Sequence, residues 1–135
     1  MTHATAMLDR YPAGLGGVDR EALARCIEAC YDCAQTCTAC ADACLSEPDV
    51  ARLVSCVRTD LDCADVCAAT GQVLSRHTGY DANLTSAVLQ ACIVACRTCA
   101  DECERHAGTH DHCRVCAQTC RDCERACREL LHALG

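Results

Sequence analysis

Phenylalanine and tryptophan are missing from this chain, and tyrosine occurs only at Tyr11, Tyr31 and Tyr80. A core without large aromatics has to be built from aliphatic and small side chains, each of which buries little apolar area. Positive charge is also scarce. The formal net charge is −7, with no basic cluster of the kind that phosphate contacts require, which argues against nucleic acid as a partner. No run of about 18 apolar residues exists, so no membrane-spanning helix is expected. Residues 1–17 lack a basic n-region, a continuous apolar stretch and a small-residue cleavage signal, so export is not expected and a cytoplasmic location is. Strand-period segments are absent, which excludes doubly wound and all-β folds. Neither a nucleophile–base–orienter set nor a phosphate loop is visible, so the expectation is not an enzyme.

What the chain does have is cysteine: eighteen in 135 residues. At such density a short secreted chain is usually a disulfide scaffold. Where thiols are kept reduced, dense cysteine more often means metal. The spacing is helical throughout. Cys26, Cys30, Cys33, Cys37, Cys40 and Cys44 form one run, and Cys56, Cys63 and Cys67 form a sparser second one. Cys92, Cys96, Cys99 and Cys103 form a third, followed by Cys113, Cys116, Cys120, Cys123 and Cys127. Steps of three and four place a residue on one helix face, at positions that normally carry Leu, Ile or Val. Thiols thus replace hydrocarbon along the seam.

Breaks at Leu45–Asp49, His77–Asp81 and Ala107–Thr109 divide the chain into helices expected over 18–45, 49–77, 82–106 and 109–134. Pro48 suits the first turn of the second helix, Asp81 an N-cap, Gly79 and Gly108 helix stops, and Thr109 a cap. Short connections make successive helices antiparallel neighbours, giving an all-α, up-down-up-down four-helix bundle of residues 18–135 with a cysteine-lined core. An N-terminal segment, 1–17, precedes it, with a short helix expected over 3–10. In this topology Leu23, Leu74, Leu89, Leu130 and Leu134 gather at one end as an apolar plug. Cys44, Cys56, Asp60, Cys103, His106, His110 and Cys113 gather at the other as a mouth lined with ligand atoms.

Cysteines four apart have Cβ atoms about 5–6 Å apart on a helix. Their sulfurs can approach the roughly 4.6 Å that two bonds of about 2.3 Å to one soft metal ion span. Eight such pairs occur, one example being Cys33 and Cys37. Thiolates select Cu(I), Zn or Fe–S clusters. A tetrathiolate zinc carries a net −2, costly when repeated in an apolar interior. Cu(I) shared between bridging thiolates leaves the interior neutral, at about one ion per cysteine, on the order of 18 per chain. Zinc ligands usually sit in tight turns and ferredoxin-type ligands in loops, not inside uninterrupted helices. A zinc or general heavy-metal buffer of metallothionein type is the alternative reading, and small core hydrophobes with interhelical disulfides a third.

The cysteine ladder across four helices, with no export signal, resembles the bacterial four-helix-bundle copper storage proteins in their cytosolic branch. The resemblance covers about residues 18–134. It implies storage of many Cu(I) ions along the interior, entry at one end and a homo-oligomer, a tetramer. Copper ions and a copper chaperone are the expected partners. The second helix departs from the ladder, with Asp60 in phase where another thiol would stand. There Asp60 would either take a copper or accept a hydrogen bond from His106 or His110, the other reading being a rotated, solvated side chain. His106 and His110 lie three residues from Cys103 and Cys113 and are candidate mouth ligands, or else exposed loop-end residues. The phase of His112 points outward. His3, His77 and His132 are expected at the surface and Met7 in packing, while Met1 offers a second soft sulfur. An apolar stripe (Val50, Val54, Val57, Leu61, Ala64, Ala68) reads as a wider buried face or a subunit contact.

Overall fold

The computed structural model describes residues Thr2 to Leu134, which leaves Met1 and Gly135 outside the described residues. It contains helices α1 (Ala4–Asp9), α2 (Arg20–Leu45), α3 (Val54–Leu74), α4 (Ala82–Glu104) and α5 (Asp111–Ala133). No strand occurs among the described residues. Each of the four long helices packs on two others: α2 on α3 and α5, and α4 on α3 and α5. That closed ring of contacts surrounds one core, and α1 rests against α2 from outside.

The long helices begin where side chains satisfy their first free N–H groups. Asp19 accepts from the backbone N–H of Ala22, and Asp81 accepts from those of Asn83 and Leu84. Asp81 is the expected cap. Thr109 is not a cap: its hydroxyl donates to the carbonyl of His106, and His110 occupies the N-cap position of α5 instead. The structure also shortens α3 at both ends relative to 49–77. After Pro48 the backbone closes through bonds from Val50 to Glu47, Arg52 to Asp49 and Leu53 to Val50. These make a 3-10 turn at Val50–Arg52 that carries Leu53 into the core, where it is fully buried. At the other end the Ser75 hydroxyl bonds the Gly71 carbonyl at 2.7 Å and Ser75 N bonds Gln72 O, tightening the last turn and ending the helix at Leu74. Gly79 lies beyond, in the connection, with φ +65°. Tight bonds from Arg105 to Glu102 and from His106 to Cys103 end α4 at Glu104 rather than 106.

All eighteen cysteines are buried, together with Leu23, Leu53, Leu74, Leu89 and Leu130. Leu23, Leu74, Leu130 and Leu134 meet at one end, as expected, but the plug there is not solid. They line a cavity of about 460 Å³ closed partly by residues 14–18. His77, expected at the surface, is half-buried at this end and lines the cavity. Its ring stands edge-on to Tyr11 at 5.5 Å and its Nε2 is buried without a hydrogen-bond partner. Met7, expected in packing, is 68% exposed, because α1 buries only Ala4 and Leu8.

Candidate metal centre

The helical beat of three and four puts every cysteine of α2, α3, α4 and α5 on the face turned to the common interior. All are free thiols. Neighbouring sulfurs stand at van der Waals range: Cys37 and Cys120 at 3.5 Å, Cys26 and Cys127 at 3.6 Å, Cys67 and Cys92 at 3.6 Å, Cys56 and Cys103 at 3.6 Å. Within single helices, Cys33 and Cys37 are 3.7 Å apart, Cys63 and Cys67 3.7 Å, Cys99 and Cys103 3.9 Å, and Cys92 and Cys96 4.0 Å. These separations lie within the roughly 4.6 Å that two bonds to one soft ion span. Each pair can therefore close on a shared ion with a small opening or a bent S–M–S angle.

The sulfurs form groups of four, with every ligand atom within 4.8 Å of the others. From the plugged end outward, one comprises Cys30, Cys92, Cys123 and Cys127, and another Cys33, Cys63, Cys67 and Cys96. Further along come Cys33, Cys37, Cys63 and Cys120, and then Cys37, Cys99, Cys116 and Cys120. Nearest the mouth are Cys40, Cys44, Cys56 and Cys113. Cys33, Cys37, Cys63 and Cys120 each belong to two groups. A sulfur common to adjacent groups is what bridging thiolate chemistry uses.

Asp60 interrupts the thiol lining. It is fully buried, so the solvated alternative does not apply, and its partners are thiols rather than His106 or His110. Its Oδ1 accepts from Cys99 at 3.0 Å, Cys103 at 3.3 Å and Cys116 at 3.3 Å. Burial pushes its carboxyl up to about 9, so it is held neutral at physiological pH. Burial likewise pushes the Cys44 thiol up to about 11 and raises that of Cys113. Cys44 and Cys113 therefore enter the reaction as neutral S–H, and an arriving cation displaces protons from them.

Carboxylates frame the histidines at this end. His106 Nε2 lies 2.9 Å from Glu102 Oε2. His110 has Nδ1 2.8 Å from Glu47 Oε2 and Nε2 3.1 Å from Asp49 Oδ2. The phase of α5 misplaced His112. Its Nδ1 is 3.5 Å from Cys40 Sγ and 3.6 Å from Cys113 Sγ, while its Nε2 is 2.8 Å from Glu47 Oε2. The Cys40 and Glu47 contacts raise its basicity although burial alone would lower it. His112 sits in the first turn of α5, where no preceding turn confines a side chain and the Cα–Cβ bond tilts back toward the helix N-terminus. The sequence signal for it was Glu47, an acid in the connection that meets the same end. His3 and His132 are exposed, as expected.

The family described as copper storage protein matches residues 19–132. No match was found among curated proteins. Among solved structures, a copper storage protein from Streptomyces lividans loaded with 10 copper equivalents is 70% identical, with a TM-score of 0.95 over 96% of this chain and 98% of its own. A cytosolic copper storage protein from the same organism carrying five coppers is 73% identical, with a TM-score of 0.87 over 89% of this chain and 100% of its own. A variant of the Streptomyces lividans protein with two histidines replaced by alanine is 71% identical, with a TM-score of 0.86 over 87% of this chain and 99% of its own.

Proposed function

Because this chain belongs to the copper storage protein family, we propose that it stores copper as Cu(I) on the thiolates inside an antiparallel, up-down-up-down four-helix bundle, in the cytosol and without catalytic turnover. Sulfur pairing supports the topology. From one end of α2 to the other the partners on α5 run in reverse: Cys26 with Cys127, Cys33 with Cys120, Cys37 with Cys116, Cys40 with Cys113. Along α3 the partners on α4 reverse too, from Cys56 with Cys103 to Cys63 with Cys96 and Cys67 with Cys92.

The observation that carries the function is the sharing of sulfurs between adjacent four-thiol groups. A buried row of such groups can fill with a monovalent ion while each thiolate bridges two metals. One proton then leaves for each ion that enters, and the interior stays neutral. A divalent ion in every group would leave net negative charge in a dry core. Ions enter past His106 and His110, whose imidazoles are borderline ligands that release copper inward, and reach Cys40, Cys44, Cys56 and Cys113 first. All eighteen cysteines take part. Asp60 borders the next level, where a hard oxygen suits soft Cu(I) poorly. Its work there is to hold the thiols of Cys99, Cys103 and Cys116 in place by hydrogen bonds.

A copper chaperone would deliver the ion, and the chain would assemble as a homotetramer. Val54 and Leu61, 64% and 44% exposed along the outer stripe of α3, support a contact with a second copy, while Ala64 of the same stripe is buried within the chain. X-ray absorption at the copper edge of the loaded protein tests the function. A Cu(I) edge with a first shell of sulfur alone is expected, and a shell dominated by nitrogen and oxygen would contradict it.

A further inference from the structure

The connection between α2 and α3 contributes a carboxylate that the thiol chemistry does not use. We propose that Glu47 is a positioning residue: it holds the imidazole of His112 with Nδ1 turned to Cys40 and Cys113, so that this nitrogen receives Cu(I) at the threshold and passes it to the first thiols. The proposal rests on the copper storage reading above.

A carboxylate oxygen only accepts, so the 2.8 Å contact between Glu47 Oε2 and His112 Nε2 needs the hydrogen on Nε2. In the neutral ring the lone pair is then on Nδ1, which lies 3.5 Å and 3.6 Å from the sulfurs of Cys40 and Cys113. One nitrogen and two sulfurs thus face a common point at the outer limit of the thiol lining. The other mouth histidines are turned differently. His110 directs both nitrogens to carboxylates, Glu47 and Asp49, and His106 directs Nε2 to Glu102. Glu47 also ties the two rings of α5 together. The same Oε2 lies 2.8 Å from His110 Nδ1, and the rings stack with centroids 5.5 Å apart. Its side chain is only 25% exposed, so water competes weakly for these bonds. Carboxylates placed behind metal-binding imidazoles fix tautomer and ring orientation, and their loss typically costs about 10–100-fold.

Two measurements test this. In the copper-free wild type at pH 8, imidazole nitrogen-15 shifts should report His112 as the Nε2–H tautomer. In stopped-flow transfer of the first copper equivalents from a chromophoric Cu(I) chelator, Glu47→Ala should slow uptake by roughly tenfold. Glu47→Gln, whose amide oxygen still accepts from Nε2, should recover most of the rate. In a His112→Ala background, Glu47→Ala should slow uptake far less, the remainder coming from its lost contact with His110. Protonation of His112 at Nδ1, a wild-type rate in Glu47→Ala, or the same slowing in the His112→Ala background would each overturn the proposal. Failure of the wild type to take up Cu(I) would instead sink the storage reading, a result the copper-free tautomer does not share.

Discussion

At the scale of single residues, Asp60 has the most unusual surroundings. Unfolded, its carboxyl ionises near the ordinary 3.8; folded, it holds its proton up to about 9. Between those values the folded chain keeps a proton that the unfolded chain has released. The stability contributed by the neutral carboxyl is therefore complete below about pH 4 and lost as pH rises toward 9, at most about 1.4 kcal/mol per pH unit. Asn at the same position does not titrate. The copper-free Asp60→Asn variant should accordingly gain stability relative to wild type as pH is raised from 5 to 8, read from urea unfolding under reducing conditions. A difference that stays constant with pH would mean that Asp60 is already ionised in the fold. The in-phase position of Asp60 was legible in the sequence, but its partners were not, because hydrogen bonds from three thiols depend on how α4 and α5 meet α3. His112 escaped for a related reason: helical phase assigns faces within a regular helix and is weakest in the first turn.

At the scale of the element, the cysteine beat located all four long helices, and their ends were the less legible part. Ends depend on side chains competing for free backbone groups. Thr109 looked like a cap, yet its hydroxyl is taken by the His106 carbonyl. Asp81 looked like a cap and is one, with bonds of 2.9 Å to Asn83 N and 3.2 Å to Leu84 N. Asp81→Ala should cost about 1 kcal/mol in chemical denaturation of the copper-free protein. No loss at all would mean that water replaces those bonds without cost. The 3-10 turn after Pro48 has a consequence beyond the helix boundary. By delaying α3 until Val54 it leaves Glu47 and Asp49 in the connection, where they meet His110 and His112 across the mouth.

At the scale of the whole molecule, the interior divides its work by position. One end is apolar, with Leu23, Leu74 and Leu130 around a cavity of about 460 Å³. The middle is sulfur, and the other end combines thiols, imidazoles and carboxylates. Cysteine buries less hydrocarbon than leucine, so filling the seam with it gives up packing energy in exchange for chemistry. That exchange is reasonable only if the thiols bind something along their full length. An anaerobic titration of the fully reduced protein with Cu(I), read against a chromophoric chelator, tests this most directly. Uptake that approaches one ion per cysteine, on the order of 18 per chain, is the expected result. Saturation near four or five ions, the number that separate tetrathiolate sites would hold, would contradict it.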